Sequence, residues 1–498
     1  MRVDLLGPQG WQAPAAEVNG KAVAEDLELS AMYDVMAGGD PFVRTVVADV
    51  IPRSVHDRDV LRYRQRVVND ACGKPAAVRE LYAIATEAAG ARRWMVGRDR
   101  GARGKLHLSL EPLTKLIGFV RRARDTYEHH CAAFDSEGFA GFGRRLAATF
   151  GDEYLAEVEH YLDALRFDHG FRIGAQLGSD AGIAHPVLLE PLPPPRRHRT
   201  VFGRPKRNAL EISESDESAK QFISRLTGKS LDRIADVITH TTDVIVEFFH
   251  TLRTELAFLV GCANLVDRLR SDGYAVCFPT PLPQGSGSSF SFRELRDPAL
   301  CLSGAAGVAG NSIDGRDTSL TVITGANSGG KSTFLRSLGA AQIMMQAGMF
   351  VVAESFESDI REGVFTHFRI QDDSSMTYGR LKEELVRMRE LTGRVTRSSL
   401  VLWNEPFAST SEREATEILA PITEALLDSG VKVVVVTHLY DFASALAHRD
   451  RATDLFLRAQ RLPDGTRTFR LEPGTPDLTS HALDIYRKVF RDEPHGSP

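Results

Sequence analysis

"GANSGGKSTFLRS" (residues 325–337) follows the apolar run "LTVIT" (320–324), and its spacing GxxxxGK[ST] decides how the second half of the chain is read. A loop that wraps phosphates needs small residues, so that backbone N–H groups can approach the anion, and a helix N-terminus whose partial positive charge faces it. Gly325, Gly329 and Gly330 meet the first need, with Ala326, Asn327 and Ser328 completing the turn. Lys331 brings a point charge to the terminal phosphates, and the Ser332 hydroxyl is placed for Mg²⁺, with Thr333 beside it. The periodic stretch "STFLRSLGAAQIMMQAG" predicts the helix behind the loop. ATP and Mg²⁺ are therefore the expected ligands.

Two further apolar, β-branched runs, "SSLVLW" and "VKVVVVT", alternate with helical stretches downstream. That alternation predicts a parallel, doubly wound sheet with helices on its faces. The first run ends in Asn404 and Glu405. A carboxylate at the end of such a strand is positioned to orient water and take its proton, so Glu405 is the expected general base. Asn404 offers an amide to a metal-bound water but no charge, which predicts weaker Mg²⁺ holding and slow turnover. The second run delivers His438 to the same sheet edge, where open α/β sheets hold their ligands, as a γ-phosphate sensor. A lone histidine is otherwise more often a surface residue. Ser411 and Glu414 stand at capping-box spacing and predict a helix start.

Upstream, apolar residues recur at helical spacing to about residue 275. Examples are Leu113, Leu116, Ile117, Val120 and Tyr127, or Tyr154, Leu155, Val158, Leu162 and Leu165. The longest run, 230–273, places Leu231, Ile234, Val237, Ile238, Ile245, Phe248, Leu252, Leu256 and Leu259 on related faces and predicts a strut-like helix. "LPPPRRHRTVFGRPKRNALEISESDESAK" (192–220) mixes prolines, a basic cluster and an acidic serine-rich run, the composition of an exposed loop. Its arginines and lysine are suited to meeting phosphates, although a solvated linker is the simpler reading. The expected organisation is an N-terminal segment (1–44), an all-α domain (45–282), which the family resemblance described below implies to be a core and lever region, and an α/β domain (283–498).

Composition sets bounds. A chain of 498 residues exceeds one compact core, and 43% hydrophobic with 26% charged residues is ordinary for a globular protein. A net charge of -5 excludes a uniformly basic coat, so any nucleic-acid groove has to be a local patch. The five cysteines are scattered without a CxxC pair, which points to reduced thiols rather than a disulfide framework or zinc site. Neither a signal peptide nor an apolar membrane span is evident, so a cytoplasmic, soluble protein with no membrane partner is expected.

The segment from about 300 to 450 resembles the ATPase domain of the MutS family of DNA mismatch repair proteins. "GANSGGKSTFLR" looks like the family's GPNMGGKST loop, with Ala326 in place of proline and Ser328 in place of methionine. "GMFVVAESFESDIREGVFTHFRIQDD" is similar to a family stretch ending in an Asp-Asp pair, here Asp372 and Asp373. "LVLWNEPFASTS" resembles LVLMDEIGRGTS, and "VVVVTHLYDFA" resembles the family's T-H-Y strand end. Weaker echoes are "ELRDPAL", "LRYRQRVVNDA" and "SHALDIYRKVF".

The resemblance implies an ABC-type ATPase fold whose sites are completed by a signature segment of a second subunit, hence a homodimer, with DNA as the partner. That signature falls on "DDSSMTYGRL". The family's serine lands on Gly379, followed by Arg380, with Leu381 on the phenylalanine and Glu384 on the acidic residue. Ser375 or Thr377 takes the serine's part after a small shift, or backbone N–H groups around Gly379 do. The helix behind, with its Leu381, Leu385 and Met388 stripe, either aims its N-terminal dipole at a phosphate or simply packs. Mismatch readers of the family carry a wedge domain and a connector, for which there is no room ahead of residue 45, so recognition by that route is not expected. Two functions follow: an ATP-hydrolysing protein that opens and closes helical arms on DNA, of mismatch repair or recombination type, or a switch that binds ATP and hydrolyses it poorly.

Overall fold

The computed structural model describes residues 2–15, 20–90, 101–167, 172–177, 183–189, 217–284, 289–305, 307–326, 328–369, 379–462 and 466–476. The chain divides into two compact units, one of Met1–Val3, Ala76–Phe134 and Phe139–Leu256, the other of Asp4–Pro75, Asp135–Gly138 and Ala257–Pro498.

The first unit is mainly helical. Its helix Gly101–His130 buries Leu113, Leu116, Ile117, Val120 and Tyr127, the face that 3.6-residue periodicity marks. The Tyr127 hydroxyl donates to the Phe139 carbonyl at 2.8 Å. In the helix Asp152–Leu165, Leu155 and Leu162 are buried while Tyr154 is exposed, one position off the stripe. The long helix Glu217–Ser271, 55 residues, belongs to this unit as far as Leu256, and Val237 projects from it into solvent. Strand β1 (Arg172–Leu177) pairs antiparallel with β2 (Ile183–Leu189), which corrects the all-α expectation for this region. Runs of six and seven residues are too short for a stable helix and suit a hairpin. The basic loop lies largely outside the described residues.

The second unit contains strands β3 (Thr280–Leu282), β4 (Phe290–Leu295), β5 (Asn311–Asp314), β6 (Leu320–Thr324), β7 (Ser355–Asp359) and β8 (Val364–Phe368). They are followed by β9 (Leu400–Asn404), β10 (Lys432–Val436), β11 (Asp454–Arg461) and β12 (Arg467–Pro473). Six form one sheet in the order β12-β11-β6-β10-β9-β8, parallel throughout except for β12. Four form a smaller mixed sheet, β3-β7-β4-β5.

The central strands β6 and β10 are buried along their whole length, because helices cover both faces and parallel crossovers leave no solvent side. Leu320, Val322, Val401, Trp403, Val433 and Val435 point to one face, onto Ala415, Leu419 and Phe442 of the helices Glu412–Asp428 and Tyr440–Ala447. On the other face lies the helix Lys331–Gln346, whose Gly339 leaves no room for a Cβ against Leu402 and Leu27. Leu27, from the N-terminal segment, is buried there. Residues 4–75 thus fall in the unit that carries the sheet. Arg64, buried, donates to the carbonyls of Leu6 and Ala347 and helps hold that segment in place.

Among the described residues the five cysteines are free, no cluster of His, Cys, Asp and Glu suits a metal, and no helix is long and apolar enough to cross a membrane.

Candidate functional site

Three parallel strands end side by side on one edge of the larger sheet, and each delivers part of the site. β6 runs into the glycine loop, β9 ends at Asn404 and Glu405, and β10 leads to Thr437 and His438. The loop is confined from the side by the hairpin of β11 and β12. A Cβ on Gly329 would lie 2.8 Å from the Ala459 Cβ and 2.9 Å from the Ala326 carbonyl oxygen. Gly325 and Gly330 have φ of 114° and 90°, a region open to glycine without steric cost. Ser328 also has positive φ, 56°, and carries the strain of a non-glycine residue in that turn.

Lys331 is buried, and its Nζ donates to the carbonyls of Gly325 and Ala326, both at 2.8 Å. Burial pushes its pKa down to about 8, Glu405 opposing the shift and Arg467 adding to it. Among the described residues its hydrogen bonds go to neutral carbonyls, a setting in which a phosphate would add counter-charge to a buried ammonium. No side chain caps the helix Lys331–Gln346 at Gly330, so its first-turn N–H groups add their dipole to the same place.

The Ser332 hydroxyl donates to Asn404 Oδ1 at 2.9 Å. Two oxygen ligands meeting beside a phosphate loop fit Mg²⁺, a hard cation that prefers oxygen. Asn404 contributes that oxygen without a charge.

Glu405 follows with φ of 53°, and its N–H donates to the Val436 carbonyl at 2.8 Å. This turn fixes the carboxylate at the strand end, where Oε1 stands 3.1 Å from His438 Nε2 and Oε2 stands 3.8 Å from Arg369 Nη1. The hydrogen bond from His438 holds its carboxyl below the usual range, burial opposing and the charges of His438, Lys331 and Arg369 assisting. Of the residues singled out in the sequence, Ser332 is in contact with Asn404 and Glu405 with His438.

Thr333 lines a cavity of about 420 Å³ that opens beside the loop. Its other walls come from Ser328 and Gly330, from Leu295, Asp297, Val308 and Asn311, and from Phe469. Sequence reasoning did not place this wall at the loop: "ELRDPAL" is only a weak family echo, and Val308, Asn311 and Phe469 are distant from the loop in sequence and carry no spacing signal. The β12 side is fastened by Arg470, which grips Glu294 at 2.7 Å, and by the Leu471 N–H, which donates to Asn311 Oδ1 at 2.7 Å.

Of the expected signature residues, Gly379 starts the helix Arg380–Thr392 as its N-cap with no side chain to offer, and Arg380 is that helix's first residue. Asn327, Ser375 and Thr377 lie outside the described residues. On that helix Met388 is buried and Leu381 packs against the core, but Leu385 is exposed. Glu384 is buried in its stead and accepts from Ser409 at 2.9 Å, so the stripe is only partly apolar.

The arrangement is consistent with a phosphate-loop nucleotide-binding domain joined to a helical region. Sequence profiles carry the assignment further. That of the MutS2 N-terminal domain matches residues 56–272, and that of MutS domain V matches residues 321–481. The chain belongs to the MutS family. Similar relatives include the Endonuclease MutS2 of Thermus thermophilus, 32% identical over 178 residues, 35% of this chain and 23% of that protein. They also include a DNA mismatch repair protein MutS and a DNA mismatch repair protein HexA of Streptococcus pneumoniae, each 29% identical over 164 residues, 32% of this chain and 19% of theirs. The matched stretch thus spans less than a quarter of each of these relatives.

Proposed function

We propose that this chain binds ATP at the loop 325–333 and hydrolyses it, using the cycle to open and close helical arms on DNA. The observation that carries the ATP reading is the buried Lys331 ammonium, which among the described residues hydrogen-bonds to two loop carbonyls and stands at a helix start with no side-chain cap. The terminal phosphates sit against the loop N–H groups and Lys331. Ser332 and Asn404 would hold Mg²⁺, which supplies positive charge to the phosphate oxygens. The nucleoside enters the adjoining cavity, with the exposed Phe469 ring as one wall for the base.

In the reaction the oxygen of a water bonds to the γ-phosphorus as the bond from that phosphorus to the bridging oxygen breaks, and ADP leaves with the electron pair. Glu405 takes the proton of the water. His438 holds Glu405 in place and senses the terminal phosphate. The helix behind Gly379, with Ser375, Thr377 and Arg380, closes on the nucleotide of a second copy, so the working unit is a homodimer. DNA as partner rests on family membership and on what the relatives' names say of them.

A second reading, a switch that binds ATP and turns it over poorly, is favoured by one observation: the metal-side residue at the end of β9 is the neutral Asn404. Phosphate release by the full chain and by Glu405→Ala separates the two. A large fall in the variant supports hydrolysis, and equal slow rates support the switch. Binding to homoduplex, mismatched and junction DNA across a salt series tests the partner, and an affinity that does not fall with salt would remove DNA phosphates from the account.

A further inference from the structure

Arg369 is the first residue after β8, and Phe368 pairs in register with Asn404, so Arg369 stands across from Glu405 on the edge that carries the site. Its side chain is mostly exposed, 59%, and its guanidinium approaches Glu405 at 3.8 Å, beyond hydrogen-bond reach. A loose ion pair of this kind contributes little to stability, so it does not by itself explain why an arginine stands there.

The surroundings supply a reason. Glu405 is approached by His438 from β10 at 3.1 Å and by Arg369 from β8, and it feels the charge of Lys331 from the glycine loop. Three cationic or proton-donating groups from three separate elements converge on one carboxylate. In the hydrolytic reading that carboxylate faces the water attacking the terminal phosphate, so the phosphate must lie between Lys331 and Glu405. A terminal phosphate is a stronger attractor than one carboxylate, since it offers several charged oxygens to a planar, multidentate fork.

We propose that Arg369 is a catalytic arginine supplied in cis, whose guanidinium leaves Glu405 when nucleotide binds and pairs with the oxygens of the transferring phosphoryl group. The inference rests on the reading of this site as an ATPase. Its departure also frees Glu405 to take the proton of water, coupling nucleotide occupancy to activation of the base. Because the side chain is mostly solvent-exposed, a change of rotamer is enough for this move.

The test uses the full chain with Arg369→Ala, Arg369→Gln and Arg369→Lys. Expected for the first two is a fall in kcat of roughly 10²–10³-fold, with affinity for a non-hydrolysable ATP analogue within about threefold of wild type. Lysine restores part of the rate, because it keeps the charge but not the fork. The tighter binding of ADP with aluminium fluoride relative to ADP alone, a readout of transition-state charge, is expected to shrink in the alanine and glutamine variants. An unchanged or raised kcat, or an undiminished fluoride effect, overturns the proposal. Wild-type chain that binds no ATP analogue, or that hydrolyses no faster than Lys331→Ala, overturns the ATPase reading itself and the inference with it.

Discussion

His438 Nε2 stands 3.1 Å from Glu405 Oε1, joining the end of β10 to the end of β9 across the edge of the sheet. Glu405 is ionised well into the acid range because of that contact first, and of the charges of Lys331 and Arg369 after it. The sign follows: a carboxyl with a lowered folded pKa contributes stability above its unfolded value of 4.5, and the contribution is lost as pH falls through the folded value. In the proposed hydrolysis, an ionised Glu405 is available as the base throughout the neutral range. His438→Ala is expected to move the acidic limb of the kcat profile upward and to lower the plateau by about 10-fold or more, as pH-dependent phosphate release would reveal.

Lys331 carries the opposite linkage. Its pKa of about 8 lies below the unfolded value of 10.5, so between those values the unfolded chain binds more protons and folding stability rises with pH. A bound polyphosphate restores the proton. Nucleotide binding at pH 8.5 is therefore expected to take up protons, visible as a buffer-dependent heat in calorimetry. Lys331→Met removes a buried charge, and urea melts should show the ligand-free variant at least as stable as wild type, while nucleotide binding is lost.

Ser332 and Asn404 meet at 2.9 Å, the pair proposed to hold Mg²⁺. Asn404→Asp adds the missing charge and is expected to lower the Mg²⁺ concentration for half-maximal turnover by about 10-fold, a shift of roughly 1.4 kcal/mol. A Mg²⁺ titration at saturating ATP reads this directly. Ser332→Ala is expected to raise that concentration.

Phe469 walls the cavity next to Gly330 while half of its surface stays in water, 52%. Stacking of a base on this ring predicts that Phe469→Ala weakens nucleotide affinity by about 5–100-fold, on the scale of roughly 1–3 kcal/mol per stacked base. A fluorescent nucleotide titration checks the affinity, and kcat at saturation is expected to change much less.

Gly339 would place a Cβ 2.6 Å from Leu402 Cδ1 and 2.7 Å from Leu27 Cδ2, both in side chains with no exposure to spare. Gly339→Val is expected to destabilise the unit by about 1–3 kcal/mol through overpacking, read as a lower urea midpoint. Leu27→Ala should relieve part of the cost in the double variant, which distinguishes steric conflict from loss of helix propensity.

Much of the site is legible in the chain because its determinants are local. The glycines, Lys331 and Ser332 lie within eight residues of Gly325, on a turn that any strand-to-helix junction of that composition must make. The strands ending at Asn404 and Val436 announce themselves as apolar runs, and Ser411 caps its helix as spaced, accepting from the Glu414 N–H at 3.4 Å. Periodicity fails where burial is decided by a distant partner. Leu385 and Val237 fit helical stripes but face solvent, and Glu384 breaks a stripe because Ser409 is there to meet it.

The sequence by itself determined the glycine-rich turn after β6, the helix behind it, the parallel strands and the family. The tertiary structure alone decided that residues 4–75 fall in the unit that carries the sheet, that Leu295, Asp297, Val308, Asn311 and Phe469 wall a cavity beside the loop, and that Arg369 meets Glu405. The reason is physical: dihedral preference and hydrophobic period act over a few residues, whereas these contacts link positions tens to hundreds of residues apart. Such contacts form only when strand order and helix packing have brought the segments together.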